Sequence, residues 1–374
     1  MKIRLARPFL SNPEILEELD KALKAGMVGQ GEKVRDFEKS FSEWVGSKYA
    51  VACSSCTAAL HMALICVGVG VGDEVMMPAF TFPSCGNMVL QLGAKPVLVD
   101  VDEETFTLNP TLLQEAYNPK VKAIIPTHLF GHPADMKPIL EFAEEKGIHV
   151  IEDAAGALGT HYMGVRVGVI GEIGCFSFHP RKHLTTGEGG MLVTNDEKIA
   201  EKAMMLRNHG VKRENERLTF SLPGFNYRLS DVQAILGIAQ LKDLDETVAE
   251  YRKIAKRYAE KLSSKSLGII PPLEKNWAYH SYQAYVVRIT EKFRTPKDSL
   301  IEKLKSNYGV ETQTGSFSLR KIQYFNGARF TSRRRRPVCD ILHDETLALP
   351  MYRGLSESDQ TYIVRALEDL YENP

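Results

Sequence analysis

Neither sign of charge prevails in this 374-residue chain, where 47 lysines and arginines meet 47 aspartates and glutamates. Without a net field there is no general pull toward nucleic acid or an anionic membrane, so small molecules are the expected partners. Cysteine is scarce. Cys53, Cys56, Cys66, Cys85, Cys175 and Cys339 are too few and too irregular for a disulfide scaffold and suit a reducing compartment, so a cytoplasmic protein is expected. Long apolar runs are missing as well: the longest, residues 62–71, is interrupted by glycines and too short to cross a bilayer. Residues 1–8 carry Lys2, Arg4 and Arg7 but nothing like the apolar stretch of a secretory leader. What is present is 44% hydrophobic and 25% charged. That excludes a disordered or fibrous chain and provides apolar material for two cores of ordinary domain size.

From about residue 45 to 195, short β-branched runs alternate with helical patterns, which is how a largely parallel sheet covered by helices is written. The fold class is α/β. Candidate strands cover 49–53, 74–77, 96–100, 123–127, 150–153, 175–178 and 191–194, and several end on a polar residue. Ligands of open α/β sheets collect at the carboxyl ends of strands, which directs attention to Asp100, Thr127, Asp153 and the segment after Phe178. Upstream, Val34, Phe37, Phe41 and Trp44 recur at helical spacing until Gly46. Downstream, Ser230 and Gln233 form a capping-box pattern opening a long helical segment, with a stripe of Leu241, Leu244, Val248, Tyr251, Tyr258 and Leu262, that bridges two domains. An alternating strand (282–289), a helix around 300–304 and a last helix from 356 through 370 complete a smaller α+β domain.

Three segments carry chemistry. In Cys175-Phe-Ser-Phe-His-Pro-Arg-Lys182-His-Leu-Thr-Thr-Gly-Glu-Gly-Gly190, a lysine sits between a buried strand and a tight turn. Desolvation there lowers the pKa of an amine and makes it a nucleophile toward carbonyl groups, the aldehyde of pyridoxal phosphate among them. A loop lysine taken alone is more often just a surface residue. In Val150-Ile-Glu-Asp153-Ala-Ala-Gly156, an apolar strand ends in an acidic pair. Such a carboxylate either keeps a pyridine nitrogen protonated, so that the ring accepts electrons, or caps the next turn. In Val51-Ala-Cys-Ser-Ser-Cys56-Thr57-Ala58-Ala-Leu60, a strand runs through small hydroxylated residues into a helix, which makes either a phosphate site of free amides or a plain helix cap. Cys53 and Cys56 have the spacing of a metal pair, but no second pair completes a tetrahedral site, and no metal is expected.

Together these segments resemble the DegT/DnrJ/StrS sugar aminotransferases. The likeness continues through residues 26–31, Pro78-Ala-Phe-Thr-Phe82, His128-Leu-Phe-Gly-His-Pro-Ala-Asp135-Met136, Leu206-Arg-Asn-His-Gly210, Phe225-Asn-Tyr-Arg-Leu-Ser-Asp231 and Leu349-Pro-Met351. Many short matches in the right order are far more specific than any one. The resemblance implies the fold type I of pyridoxal-phosphate-dependent transferases. A large cofactor-binding domain with a mostly parallel seven-stranded sheet occupies residues 1–240, and a small α+β domain occupies 241–374.

The resemblance also implies roles. Lys182 forms the Schiff base with pyridoxal phosphate and then shuttles the proton, Asp153 partners the pyridine nitrogen, and Phe82 stacks on the ring. Cys56, Thr57, Ala58 and Ser177 cradle the phosphate. Asn226 reaches the phosphate of the neighbouring subunit, which makes the protein a homodimer with shared active sites. Phe130, Tyr227 and Arg228 are candidate substrate residues, arginine being suited to the donor's carboxylates. Two positions depart from the family pattern. Gly156 stands where many members have glutamine beside the cofactor's phenolic oxygen, and Cys56 where glycine is usual.

The expected reaction is transfer of an amino group from glutamate or a similar donor to a nucleotide-linked keto-sugar, in amino-sugar and polysaccharide biosynthesis. The rivals are a catalytically silent regulator or sensor on the same fold and a pyridoxal-phosphate-dependent sugar dehydratase. Related dehydratases carry histidine where Lys182 stands, which favours transamination. Specificity is expected from residues 26–31, 130–132 and 314–325. Arg333 to Arg336 read as a solvated loop more readily than as a nucleic-acid or localisation patch, or else as a contact for nucleotide phosphates, and His179 either as a ligand or proton carrier or as packing beside the lysine turn.

Overall fold

The apolar runs separated by helical patterns form one eight-stranded sheet in the computed structural model, which describes residues 3–10, 12–214, 217–263 and 265–374. Met1 and Lys2, at the head of the segment read for a leader, lie outside the described residues. Across the sheet the strands run Tyr49–Cys53, Gly190–Thr194, Ile173–Ser177, His149–Asp153, Val121–Ile124, Glu74–Pro78, Lys95–Val99 and Arg329–Thr331. Gly190–Thr194 is antiparallel to both its neighbours, and the other pairs are parallel. Seven strands match the expected ones to within a few residues at each end. The eighth is a correction to the expected seven. It comes from far along the chain and pairs with Lys95–Val99 at the edge.

The helix Glu32–Val45 stops at Gly46, whose φ of 89° only glycine adopts without strain. Its buried residues Val34, Phe37, Phe41 and Val45 face the sheet. Phe41 meets Phe176 edge-on at 5.2 Å, and Phe37 meets Phe178 at 5.2 Å. These aromatic contacts clamp the strand that leads into the Lys182 turn and add about 0.5–1.5 kcal/mol each beyond area burial.

The expected long bridging helix is two helices. Asp231–Leu241 opens with the Ser230–Gln233 capping box, and Leu244–Ser263 follows, buried along Val248, Tyr251, Tyr258 and Leu262. The second packs against a four-stranded antiparallel sheet ordered Ile269–Ile270, Tyr285–Ile289, Thr346–Leu349 and Gln313–Thr314. Lys297–Tyr308 and Glu357–Glu372 complete this α+β unit, which has its own core. Three features cross the expected cut between residues 240 and 241. Ile3 packs in the smaller core and bridges to Val310. Phe317–Ser318 pairs with Phe80–Thr81, and Leu319, Phe325, Val338 and Leu342 pack into the core of the large sheet.

Candidate functional site

Lys182 lies in the connection between the antiparallel strands Ile173–Ser177 and Gly190–Thr194, a connection closed by backbone and side-chain bonds. Phe178 N donates to Gly189 O, Thr186 N and Thr185 Oγ1 both donate to Phe178 O, and Lys182 N donates to His179 O. His179 Nδ1 accepts from Arg181 N at 3.2 Å, so this histidine holds the turn and packs beside the lysine. Lys182 retains some exposed surface, yet burial is the leading influence on its amine and lowers the pKa from 10.5 against the pull of Cys56 and Asp153. Nζ makes no hydrogen bond or ion pair with any described residue. A lysine so placed is a nucleophile.

Asp153 ends its strand 3% exposed, beside Cys175 in register. Oδ1 accepts from Ala155 N at 3.1 Å, and the Cys56 thiol points at the same oxygen from 4.0 Å. Burial raises its pKa, opposed by the Ala155 N–H, Lys182 and His128. Side chains alternate along a strand, so the neighbouring Glu152 faces the other way. There it accepts from Gly168 N, Ile170 N and Gly171 N and pairs with His128 at 2.9 Å, both partners fully buried. His128 Nδ1 accepts from Ala134 N, which leaves Nε2 to donate to Glu152. Asp153 thus faces the site while Glu152 ties the backbone of residues 168–171 to His128.

The helix Cys56–Cys66 begins at this same end of the sheet. Ser55 Oγ accepts from Ala58 N at 3.1 Å as a helix cap, while the amides of Cys56 and Thr57 have no partner among the described residues. Cys53, Gly190 and Ser177 lie side by side across three adjacent strands. A Cβ at Gly190 would stand 2.3 Å from Ser55 C and 2.5 Å from Cys56 N, so this glycine lets the helix start seat directly on the sheet. The phosphate-site and helix-cap readings of Ser55–Ala58 are compatible: one amide is capped and its neighbours stay free.

Lys182, Asp153, Cys56, Thr57, Ala58 and Ser177 therefore share one end of the sheet. Phe82 is 63% exposed, its ring edge-on to Phe317 at 6.4 Å. Phe130 takes a left-handed φ of 59° and touches Phe106 edge-on. Tyr227 lies against the start of the Cys56–Cys66 helix, its carbonyl accepting from Ser54 N at 2.8 Å, and the side chains of Tyr227 and Arg228 have partners within the chain. The Tyr227 hydroxyl and His61 Nδ1 are 3.0 Å apart, and Arg228 donates to Asn208 Oδ1 at 2.6 Å. Asn226 is exposed on the same segment, bridged to Asn208. Of the arginine run, Arg333 pairs with Glu115, Arg334 with Glu103 and Arg336 with Asp344. Among the described residues there is no group of three metal-ligating side chains, and all six cysteines are free.

A family model described as the DegT/DnrJ/EryC1/StrS aminotransferase family matches residues 10–368. The chain belongs to that family. It is 36% identical over 372 residues to the GDP-perosamine synthase of Caulobacter vibrioides, covering 99% of this chain and 98% of that one. Among solved structures, the aminotransferase TlmJ of Streptoalloteichus hindustanus superposes with a TM-score of 0.92 at 30% identity, over the whole of both chains. S. venezuelae DesV in complex with a ketimine intermediate gives 0.89 at 30% identity over 99% of each chain. This family member is a pyridoxal-phosphate-dependent aminotransferase. Its residues fit the coenzyme: an amine and two helix-start amides without partners among the described residues, the amides seated where only a glycine permits, and a buried carboxyl group at the strand end. No helix among the described residues is long and apolar enough to cross a membrane.

Sequence reasoning missed two features around the site. The Glu152–His128 pair was visible in strand alternation, which sends the two adjacent acids to opposite faces. Gln283, whose Oε1 would lie 3.1 Å from a Cβ at Gly156, had no signal in its own segment.

Proposed function

We propose that this aminotransferase moves an amino group from glutamate or a similar donor to a nucleotide-linked keto-sugar, in the making of amino sugars for polysaccharide. The observation that carries the transfer chemistry is the convergence of Lys182, with its lowered pKa, and the buried Asp153 at one strand end. The sugar-nucleotide acceptor is supported by the relative named GDP-perosamine synthase. Pyridoxal phosphate, when bound, supplies an electron-accepting ring that lets a proton leave the carbon bearing the amine.

The chain's own residues do the rest. Lys182 Nζ takes that proton and returns it, its lowered pKa keeping the amine available as a base. Asp153 holds positive charge on the ring nitrogen. The amides of Cys56 and Thr57, with Ser177 nearby, hold the phosphate and fix the ring's orientation. The exposed Phe82 ring provides an aromatic plate. Asn226, exposed on its segment, serves the site of a second copy in a twofold homodimer, with Tyr227 and Arg228 exchanging their present partners for the donor's carboxylates. Phe130 lines the acceptor side. The six free cysteines support a reducing compartment such as the cytoplasm.

The test is spectroscopic and isotopic. Protein loaded with pyridoxal phosphate and given glutamate should lose the absorbance of the coenzyme's aldehyde form, and labelled nitrogen from glutamate should appear in an aminated sugar nucleotide. An unchanged spectrum would mean a binding-only protein. A deoxygenated sugar without labelled nitrogen would mean a dehydratase.

A further inference from the structure

Position 156, one turn beyond Asp153, has no side chain, yet the space beside it is filled. A Cβ built there would lie 3.1 Å from Gln283 Oε1 and 3.9 Å from Gln283 Cδ. Gln283 comes from the small unit, and its Nε2 donates to Arg181 O at 2.8 Å, on the residue before Lys182. On the other side of the lysine, His183 Nε2 donates to Ser281 O at 3.1 Å. The segment carrying Gln283 therefore grips both neighbours of Lys182.

That segment is itself held tightly. Ser281 N donates to Gly131 O, and the hydroxyls of Ser281 and Thr160 are 2.8 Å apart. Gly131, at φ 97°, comes so close that a Cβ would meet Tyr282 N at 2.9 Å and Gln283 N at 3.0 Å. Phe130 and Tyr282, which flank this contact, both adopt left-handed φ values that non-glycine residues rarely take. Such strain is retained where surrounding contacts impose it. The Gln283 backbone is fixed, with Oε1 facing position 156 and Nε2 on the side of the Lys182 turn.

We propose that Gln283 is the positioning residue that completes the coenzyme pocket beside Gly156, its amide donating to the phenolic oxygen of bound pyridoxal phosphate. The inference rests on the functional reading above. Asp153 accounts for the ring nitrogen and the Cys56–Thr57 amides for the phosphate, so the phenolic oxygen, next to the carbon that Lys182 bonds, is the remaining polar group of the ring. Nε2 carries two hydrogens and spends one on Arg181 O, which leaves one to donate. A donor to the phenolate draws its charge away from the proton on the lysine–coenzyme linkage and so lowers that proton's affinity.

The experiment titrates, without substrate, the absorption of bound pyridoxal phosphate in the wild-type protein, Gln283→Ala, the nearly isosteric Gln283→Glu, and Gly156→Gln combined with Gln283→Ala. Loss of the donor in Gln283→Ala should raise the apparent pKa of the linkage by about one pH unit. Gln283→Glu, which sets a negative charge beside the phenolate, should move it the same way. The combined variant, with a new amide grown from position 156, should move it back. If both single variants titrate as wild type, whatever their melting temperatures, Gln283 is only a tether to Arg181 and the proposal fails while the functional reading stands. Wild-type protein that takes up no coenzyme would overturn both.

Discussion

Gly190→Ala places one methyl group where the strand end, the start of the Cys56–Cys66 helix and the lysine turn meet. The added Cβ would stand 2.3 Å from Ser55 C and 2.5 Å from both Ser55 O and Cys56 N. Carbon atoms rest at about 3.5 Å, so the first turn of the helix must retreat by about 1 Å. Its neighbours are backbone, not the end of a flexible side chain, so the strain cannot be relieved by a rotamer change. Overpacking of this kind costs about 1–3 kcal/mol of stability. The retreat also carries the Cys56 and Thr57 amides out of hydrogen-bond range of a bound phosphate. Losing the equivalent of one hydrogen bond to a charged group, about 1.5–3 kcal/mol, weakens pyridoxal phosphate binding roughly ten- to a hundred-fold. Pyridoxal, which lacks the phosphate, should bind wild type and variant alike, since Lys182 and Asp153 are untouched. Fluorescence titration of both compounds against both proteins is the assay. Equal affinity of wild type and variant for pyridoxal phosphate would refute the placing of the phosphate on these amides.

Further outcomes are expected. Asp153→Asn should weaken coenzyme binding, yet leave the coenzyme-free protein at least as stable near neutral pH. Burial raises the Asp153 pKa above 3.8, so the folded chain keeps this proton where the unfolded chain has lost it, and ionisation costs stability as pH rises through that window. Thermal melts of the apo-protein against pH would show the wild type losing this contribution and the variant not; a variant that melts lower near neutrality would contradict it. Glu152→Ala strips the partner from buried His128 and from three backbone N–H groups, and should cost about 3–5 kcal/mol in urea denaturation; a loss under 1 kcal/mol would show the pair to be dispensable. Competitive labelling of the coenzyme-free chain should find Lys182 reactive at lower pH than an ordinary lysine, because its folded pKa lies below 10.5; a midpoint at or above that value would contradict the burial argument.

Much of the fold was legible because its signals are local. Gly46 ends a helix through its φ, Ser230 and Gln233 open another through reciprocal capping, and seven buried strands declare themselves by β-branched runs between turns. The eighth strand was not legible: three residues, Arg329–Thr331, gain their strand character only from the edge of Lys95–Val99 more than two hundred positions earlier. The break between Leu241 and Leu244 was hidden because the helical stripe keeps its phase across it. At the site, Asp153 ends a strand and Lys182 and Cys56 follow strand ends, where ligands of α/β sheets collect; pattern drew attention to these segments, and the family resemblance gave their residues roles. Gln283 lies in no such place. Its proximity to Gly156 follows from the packing of the small unit on the lysine turn, a contact between distant segments that no local pattern encodes. Tyr227 and Arg228 were nominated for their chemistry, whereas in the chain they bind His61 and Asn208.

The account stands on the bond between pyridoxal phosphate and Lys182. Protein incubated with the coenzyme, reduced with borohydride, digested and mapped by mass spectrometry should carry the pyridoxyl group on the peptide containing Lys182. A label confined to other lysines, or no label on a correctly folded chain, would contradict it.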